Sequence, residues 1–268
     1  MRHPLLAVLL LATATACAPV GGTDDTASPQ AGLQAAVAAP TRTPANVARD
    51  RYRNPAETLA FFGVEPNDTV VEISPGGGWY TEILAPYLQA NGRYYAAASE
   101  RGLTGVNNLK TANPALYGDV QTVIFPAPAG QPVQPAGQAD VVLTFRNVHN
   151  WMLGNPPVAD QVFQQAYAML KPGGVLGVVE HRLPENADAA REARSGYVKT
   201  STVRRLAEAA GFRFAGSSEI NANPRDTADY PEGVWTLPPT YRLGDTERAR
   251  YAAIGESDRM TLRFVKPR

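Results

Sequence analysis

Cysteine is nearly absent from this 268-residue chain: the single one is Cys17. No disulfide can form within the chain, and beyond residue 17 there is no thiolate to hold a metal or attack a substrate. An excess of charge of either sign is lacking too. Lysine plus arginine and aspartate plus glutamate number 25 each, so there is no basic face for a nucleic-acid backbone. The apolar run 5–16 falls short of the roughly 20 residues a permanent membrane-spanning helix needs. Histidine is scarce, and beyond His3 only His149 and His181 are available for imidazole chemistry.

What is there begins with an address. Arg2 and His3 precede the apolar run, and Ala14 and Ala16 supply the small residues of a cleavage site, the pattern of a secretory leader over residues 1–17. The segment LATATAC resembles a bacterial lipobox, with Ala14 where leucine is usual. Lipidation of Cys17 and ordinary leader cleavage both stay open; a lipid there would be the only membrane attachment. Either way the protein is expected to be exported, periplasmic or lipid-anchored in the cell envelope. Residues 18–47 are rich in Ala, Thr, Pro and Gly without apolar periodicity and are expected to form a flexible tether. A single domain follows over residues 48–268.

Residues 69–80, TVVEISPGGGWY, carry the most information. Thr69, Val70, Val71 and Ile73 read as a buried strand, and Gly76, Gly77 and Gly78 as a nearly side-chain-free turn into a helix. Glycines there allow positive φ and let a ligand approach the backbone at a helix start. A P-loop needs Lys and then Ser or Thr after the glycines, where Trp79 and Tyr80 stand. The dinucleotide fingerprint places its third glycine on Thr81. A tight turn without a ligand is the plain alternative.

Further along, an Asn54 cap, Pro55 and a stop at Gly63 predict a helix over residues 55–62. Strands are expected at 69–74, 93–98, 120–125, 140–145, 175–179, 212–217 and 260–265, with a helix over 202–210. The turn Leu170-Lys171-Pro172-Gly173-Gly174 ends a helix before the fifth strand. Alternating strands and helices imply right-handed crossovers and a mostly parallel sheet. The long connection 221–258 reads as a lid or substrate-binding insert.

The pattern acidic-x-Gly-x-Gly-x-Gly, met by Glu72, Ser74, Gly76 and Gly78 with Ser74 in the first glycine's place, resembles motif I of the class I S-adenosylmethionine-dependent methyltransferases. LKPGG resembles the turn before their fifth strand. FRNVHNW, VVEHR, INANP and IGESDRM are similar to a branch of exported bacterial predicted methyltransferases. The resemblance covers about residues 49–268. It implies an α/β, Rossmann-like methyltransferase fold with a mostly parallel seven-stranded sheet and an antiparallel last strand. It also implies S-adenosylmethionine as cofactor, with Glu72, Ser74, Gly76 and Gly78 against its methionine half and Asp119, of the Gly118-Asp119 pair, at the adenine. Residues 145–150, with Arg146 and Asn147, then lie beside the transferred methyl. The acidic residue that usually ends strand two has no counterpart: its place falls on Ala98, with Glu100 two residues on.

Ligands of such sheets bind beyond the carboxyl ends of the strands. There the sequence places Arg146, His149, Glu180, His181, Arg182 and, before the last strand, Glu256, Asp258 and Arg259. Arg146, His149, His181 and Asp258 are expected to share one pocket. His149 and His181 are the candidate catalytic bases. The arginines point to a small polar or anionic substrate, or else form an ion-pair network tying the insert to the sheet. No pair has the spacing of a zinc motif, so no metal is expected. Two functions follow: a methyltransferase acting on a small molecule outside the cytoplasm, or a non-catalytic periplasmic small-molecule-binding protein on the same fold.

Overall fold

The computed structural model describes residues 28–268. The leader and Cys17 lie outside the described residues. Helices α1 (Pro29–Val37), α2 (Pro44–Val47), α3 (Asp50–Arg53) and α4 (Pro55–Phe62) precede β1 (Thr69–Ile73). Then come α5 (Thr81–Leu88), β2 (Arg93–Ala98), α6 (Thr104–Ala112), α7 (Pro114–Tyr117), β3 (Gln121–Ile124), β4 (Ala139–Phe145), α8 (Val148–Leu153) and α9 (Ala159–Met169). The chain continues through β5 (Leu170–Leu183), β6 (Val198–Lys199), α10 (Thr200–Ala209), β7 (Arg213–Ser218), α11 (Arg248–Ile254) and β8 (Arg259–Val265). Among the described residues, no helix is long and apolar enough to cross a membrane.

The strands run β3-β2-β1-β4-β5-β8-β7, with the short β6 paired beside β5. β1 to β5 are parallel, and β8 is antiparallel to both its neighbours. The seven expected strands are all present; β6 is an addition of two residues that sequence periodicity cannot announce. Both faces of the sheet are covered, as a parallel sheet of Val, Ile and Leu requires. Leu59, Phe62, Ile83 and Leu84 of α4 and α5 pack on Val70, Val141 and Leu143. On the other face Val162, Phe163, Val203 and Leu206 of α9 and α10 pack on Val71, Val142 and Leu176. Chain order reverses between β1 and β4, and that switch positions the site.

Two expectations change. The segment from Pro29 to Val47 is not a tether: α1 starts at a Ser28 cap, whose hydroxyl accepts from the Ala31 N–H at 3.3 Å, and buries Leu33 against α4 and α5. Arg42 then grips Asp50 with two hydrogen bonds of 2.7 and 2.8 Å. Thr43 donates from its backbone and its hydroxyl to buried Glu82, at 3.0 and 2.6 Å. One large apolar residue in an alanine-rich stretch gives no periodicity to read. Asn54 does not cap α4 through its side chain either. Its backbone takes φ 39°, and its amide donates to the Ile220 carbonyl at 2.7 Å, tying the helix start to the segment after β7.

Residues 221–258 are bonded within themselves and tied to β5. Asn223 donates to the carbonyls of Ile254 and Glu256 at 2.9 and 2.6 Å. Arg182 bridges Glu219 and Asp258 with bonds between 2.7 and 2.9 Å.

Candidate active site

A cavity of about 400 Å³ opens over the carboxyl ends of β1, β4 and β5, within the size range of small-molecule sites. At its floor two non-glycine residues hold left-handed backbones: Ser74, φ 57°, just after β1, and Arg146, φ 63°, just after β4. Ser74 thus adopts the conformation that glycine takes without cost, in the place where motif I has its first glycine. Asn147 joins the two strand ends by donating to the Ile73 carbonyl and to Thr144 Oγ1, both at 3.1 Å. Tyr80 and Phe145 stack across the floor with centroids 3.6 Å apart.

The walls come from both ends of the chain. Asn46, Arg49 and Arg53 form one; Trp235, Pro238 and Pro239 of the insert form the other. Arg53 lies over the Trp79 ring, 4.6 Å from its centroid, and the Trp79 indole donates to the Asn46 carbonyl at 3.1 Å.

Glu180, near the end of β5, is fully buried and organises the histidines. One oxygen accepts from the backbone N–H groups of Val148 and His149 at 2.6 and 3.3 Å. The other accepts from the His181 N–H at 2.7 Å and meets His149 Nδ1 at 2.9 Å. A carboxylate there fixes the proton on Nδ1, leaving Nε2 as an acceptor. His181 Nδ1 lies 2.5 Å from Ser257 Oγ, and the two rings are 5.2 Å apart. Burial first, and then the neighbouring His149 ring and the guanidinium charges of Arg259 and Arg146, hold His181 well below its usual value, so it is neutral near pH 7. Burial raises Glu72 to about 7, against a hydrogen bond from Tyr94 that favours the charge.

Of the expected site residues, Glu72, Ser74, Gly76, Arg146, Asn147, His149 and His181 all line this cavity. Three expectations fail. Gly78 turns toward α6, where an added Cβ would come within 2.5 Å of Leu109; it shapes the loop and does not face the cavity. Asp119 precedes β3 and lies with Gly92 and Arg93 at the amino ends of the strands, the opposite rim from the site. Asp258 does not line the cavity; it is held by Arg182 and by the Asn223 N–H at 2.8 Å. It belongs to the ion-pair network foreseen as the alternative. Asn46, Arg49 and Arg53 were missed, although Arg49 and Arg53 stand four apart and hence on one helix face.

His149, Glu180 and His181 also offer ligand atoms within 4.8 Å of one another, close enough to share a metal ion. Both Glu180 oxygens are already engaged by N–H donors, and nearby Arg146 and Arg259 repel a cation.

No family model matches the chain. The ubiquinone/menaquinone biosynthesis C-methyltransferase UbiE of Hydrogenovibrio crunogenus is 26% identical over 123 residues, 46% of this chain and 45% of that protein. The match thus spans under half of the curated relative. Among solved structures, a SAM-dependent methyltransferase from Aquifex aeolicus superposes over 82% of this chain and 93% of its own, with TM-score 0.54 and 14% identity. The cyclase SpnF matches over 80% and 82%, with TM-score 0.54 and 15% identity. NcsB1, an O-methyltransferase from neocarzinostatin biosynthesis in complex with S-adenosyl-L-homocysteine and 1,4-dihydroxy-2-naphthoic acid, matches over 82% and 55%, with TM-score 0.51 and 13% identity. The chain has the Rossmann-like fold of the class I methyltransferases.

Proposed function

We propose that this protein is an S-adenosylmethionine-dependent methyltransferase acting on a small molecule outside the cytoplasm. The observation that carries the reading is that one cavity holds both the glycine loop after β1 and the Glu180-oriented ring of His149. A Cβ placed on Gly76 or Gly77 would meet nothing within 4 Å, so the loop backbone is open to a ligand. Glu72, Ser74, Gly76 and Gly77 would hold the methionine half of the cofactor, which when bound supplies an electrophilic methyl group. The cavity walls align the acceptor, and alignment is the main requirement of an in-line displacement. His149 Nε2 removes the acceptor's proton, and Glu180 stabilises the imidazolium that results.

Calorimetry with S-adenosylhomocysteine tests the cofactor, using Gly77→Val as the control. Gly77 has open space and no left-handed backbone, whereas Gly76, at φ 60°, would be strained by valine. Binding is expected in the unmodified protein and lost in the variant at unchanged melting temperature. Absence of heat and of thermal stabilisation at millimolar ligand sinks the reading. For location, Cys17→Ser should release the protein from the membrane fraction; equal solubility of both forms excludes a lipid there.

A second reading, a non-catalytic binding protein on this fold, is favoured by one observation. The cavity takes no lining residue from the ends of β2 or β3, and β2 ends in buried Ala98 where the family's ribose-binding carboxylate is expected. The same fold serves other chemistry, since SpnF is a cyclase.

A further inference from the structure

The cavity is lined by four arginines, Arg49, Arg53, Arg146 and Arg259, against two carboxylates, Glu72 and Glu256. Glu256 answers three of the four. It accepts from Arg49 Nε at 2.6 Å and Arg53 Nε at 3.5 Å, and it pairs with Arg259. Arg146 pairs with no carboxylate among the described residues, and Glu72 is turned to the Tyr94 hydroxyl.

Donors are left over as well. The Arg53 side chain is 3% exposed, yet its Nη2 has no acceptor, and neither has the buried Nη2 of Arg49. Buried guanidinium groups are ordinarily paired or satisfied, because burying charge and N–H groups without partners is costly. Two of the guanidinium groups are also held in place before any ligand arrives. Arg53 is stacked on Trp79 and Arg259 donates to the Tyr52 carbonyl at 3.0 Å, while the main chain of Arg146 is fixed in a left-handed conformation with its N–H donating to the Val179 carbonyl at 2.7 Å.

We infer that Arg49, Arg53, Arg146 and Arg259 form an oxyanion subsite, which takes the carboxylate or phosphate of a small ligand bearing at least two negative charges. Guanidinium forks match the paired oxygens of such groups. The surplus of positive charge exceeds what one carboxylate, such as that of a methionine moiety, would neutralise. A dianion would occupy the cavity beside the His149 and His181 rings, lowering the mutual repulsion of the arginines. The inference stands whether or not methyl transfer occurs.

The test is thermal shift and calorimetry of the mature protein with inorganic phosphate and with citrate, against sodium chloride at matched ionic strength. Phosphate or citrate is expected to stabilise the protein where chloride does not, and Arg146→Gln should weaken binding about tenfold or more. Arg49→Gln, at a partly exposed side chain, gives an independent check should Arg146→Gln fold poorly. A shift equal to that of chloride, or one unchanged in both variants, overturns the subsite. Phosphate added to the complex with S-adenosylhomocysteine should bind alongside it; displacement would assign the arginines to the cofactor's own carboxylate and overturn the proposal. Should S-adenosylhomocysteine not bind at all, the phosphate and citrate arms still decide, so the two readings fail separately.

Discussion

His149 Nδ1 lies 2.9 Å from Glu180 Oε1, and the carboxylate is at the same time gripped by the backbone N–H groups of Val148, His149 and His181. Glu180 therefore cannot turn away from the ring without abandoning three donors at the start of α8 and in β5. The ring inherits that rigidity, and its free nitrogen keeps one direction.

Replacing His149 by Asn should lower turnover by about 10²–10⁴-fold, the usual contribution of a positioned base. Ligand affinity should move only a few-fold, because the loss falls on the chemical step. Single-turnover rates beside calorimetric affinities separate the two; an equal loss in both would make His149 a binding residue.

Glu72 gives a pH signature. Its folded value of about 7 lies above the ordinary 4.5, so the folded state binds the proton more tightly. The stabilisation is complete below about pH 4.5 and is lost as pH rises through about 7, a difference of roughly 3 kcal/mol. Glu72→Gln keeps an acceptor for Tyr94 and should flatten that window. Denaturant titrations at pH 4 and pH 8 measure it; parallel wild-type and variant profiles would rule it out.

Leu33 tests whether the amino-terminal segment belongs to the domain. It is 1% exposed, and Leu33→Ala should cost about 2–5 kcal/mol, read as a lower melting temperature. A residue on a loose tether would show no change.

The glycine loop was legible because a Val and Ile run broke abruptly into three glycines, and α4 because Pro55 and Gly63 punctuate it. The mostly parallel sheet was legible in the alternation of strands and helices, and its antiparallel last strand in the resemblance. The amino-terminal wall was not legible. A four-residue helix such as α3 leaves no periodicity, and Arg49 and Arg53 acquire their meaning only through Glu256, on the far side of the sequence. Asp119 shows a different failure. A Gly-Asp pair can be matched by eye, but lying before its strand instead of after it sends the carboxylate to the wrong rim.

The contact between Arg49 and Glu256 joins residues 207 positions apart, and the bond from Arg259 to Tyr52 spans the same interval. Contacts so distant in sequence are slow to form. A chain shortened before Glu256 lacks the carboxylate that anchors Arg49 and Arg53, and with it the amino-terminal wall of the cavity loses its partner. Competence to bind would thus be acquired last, when the two extremities meet, and partly built molecules would pass through their environment unable to capture ligand.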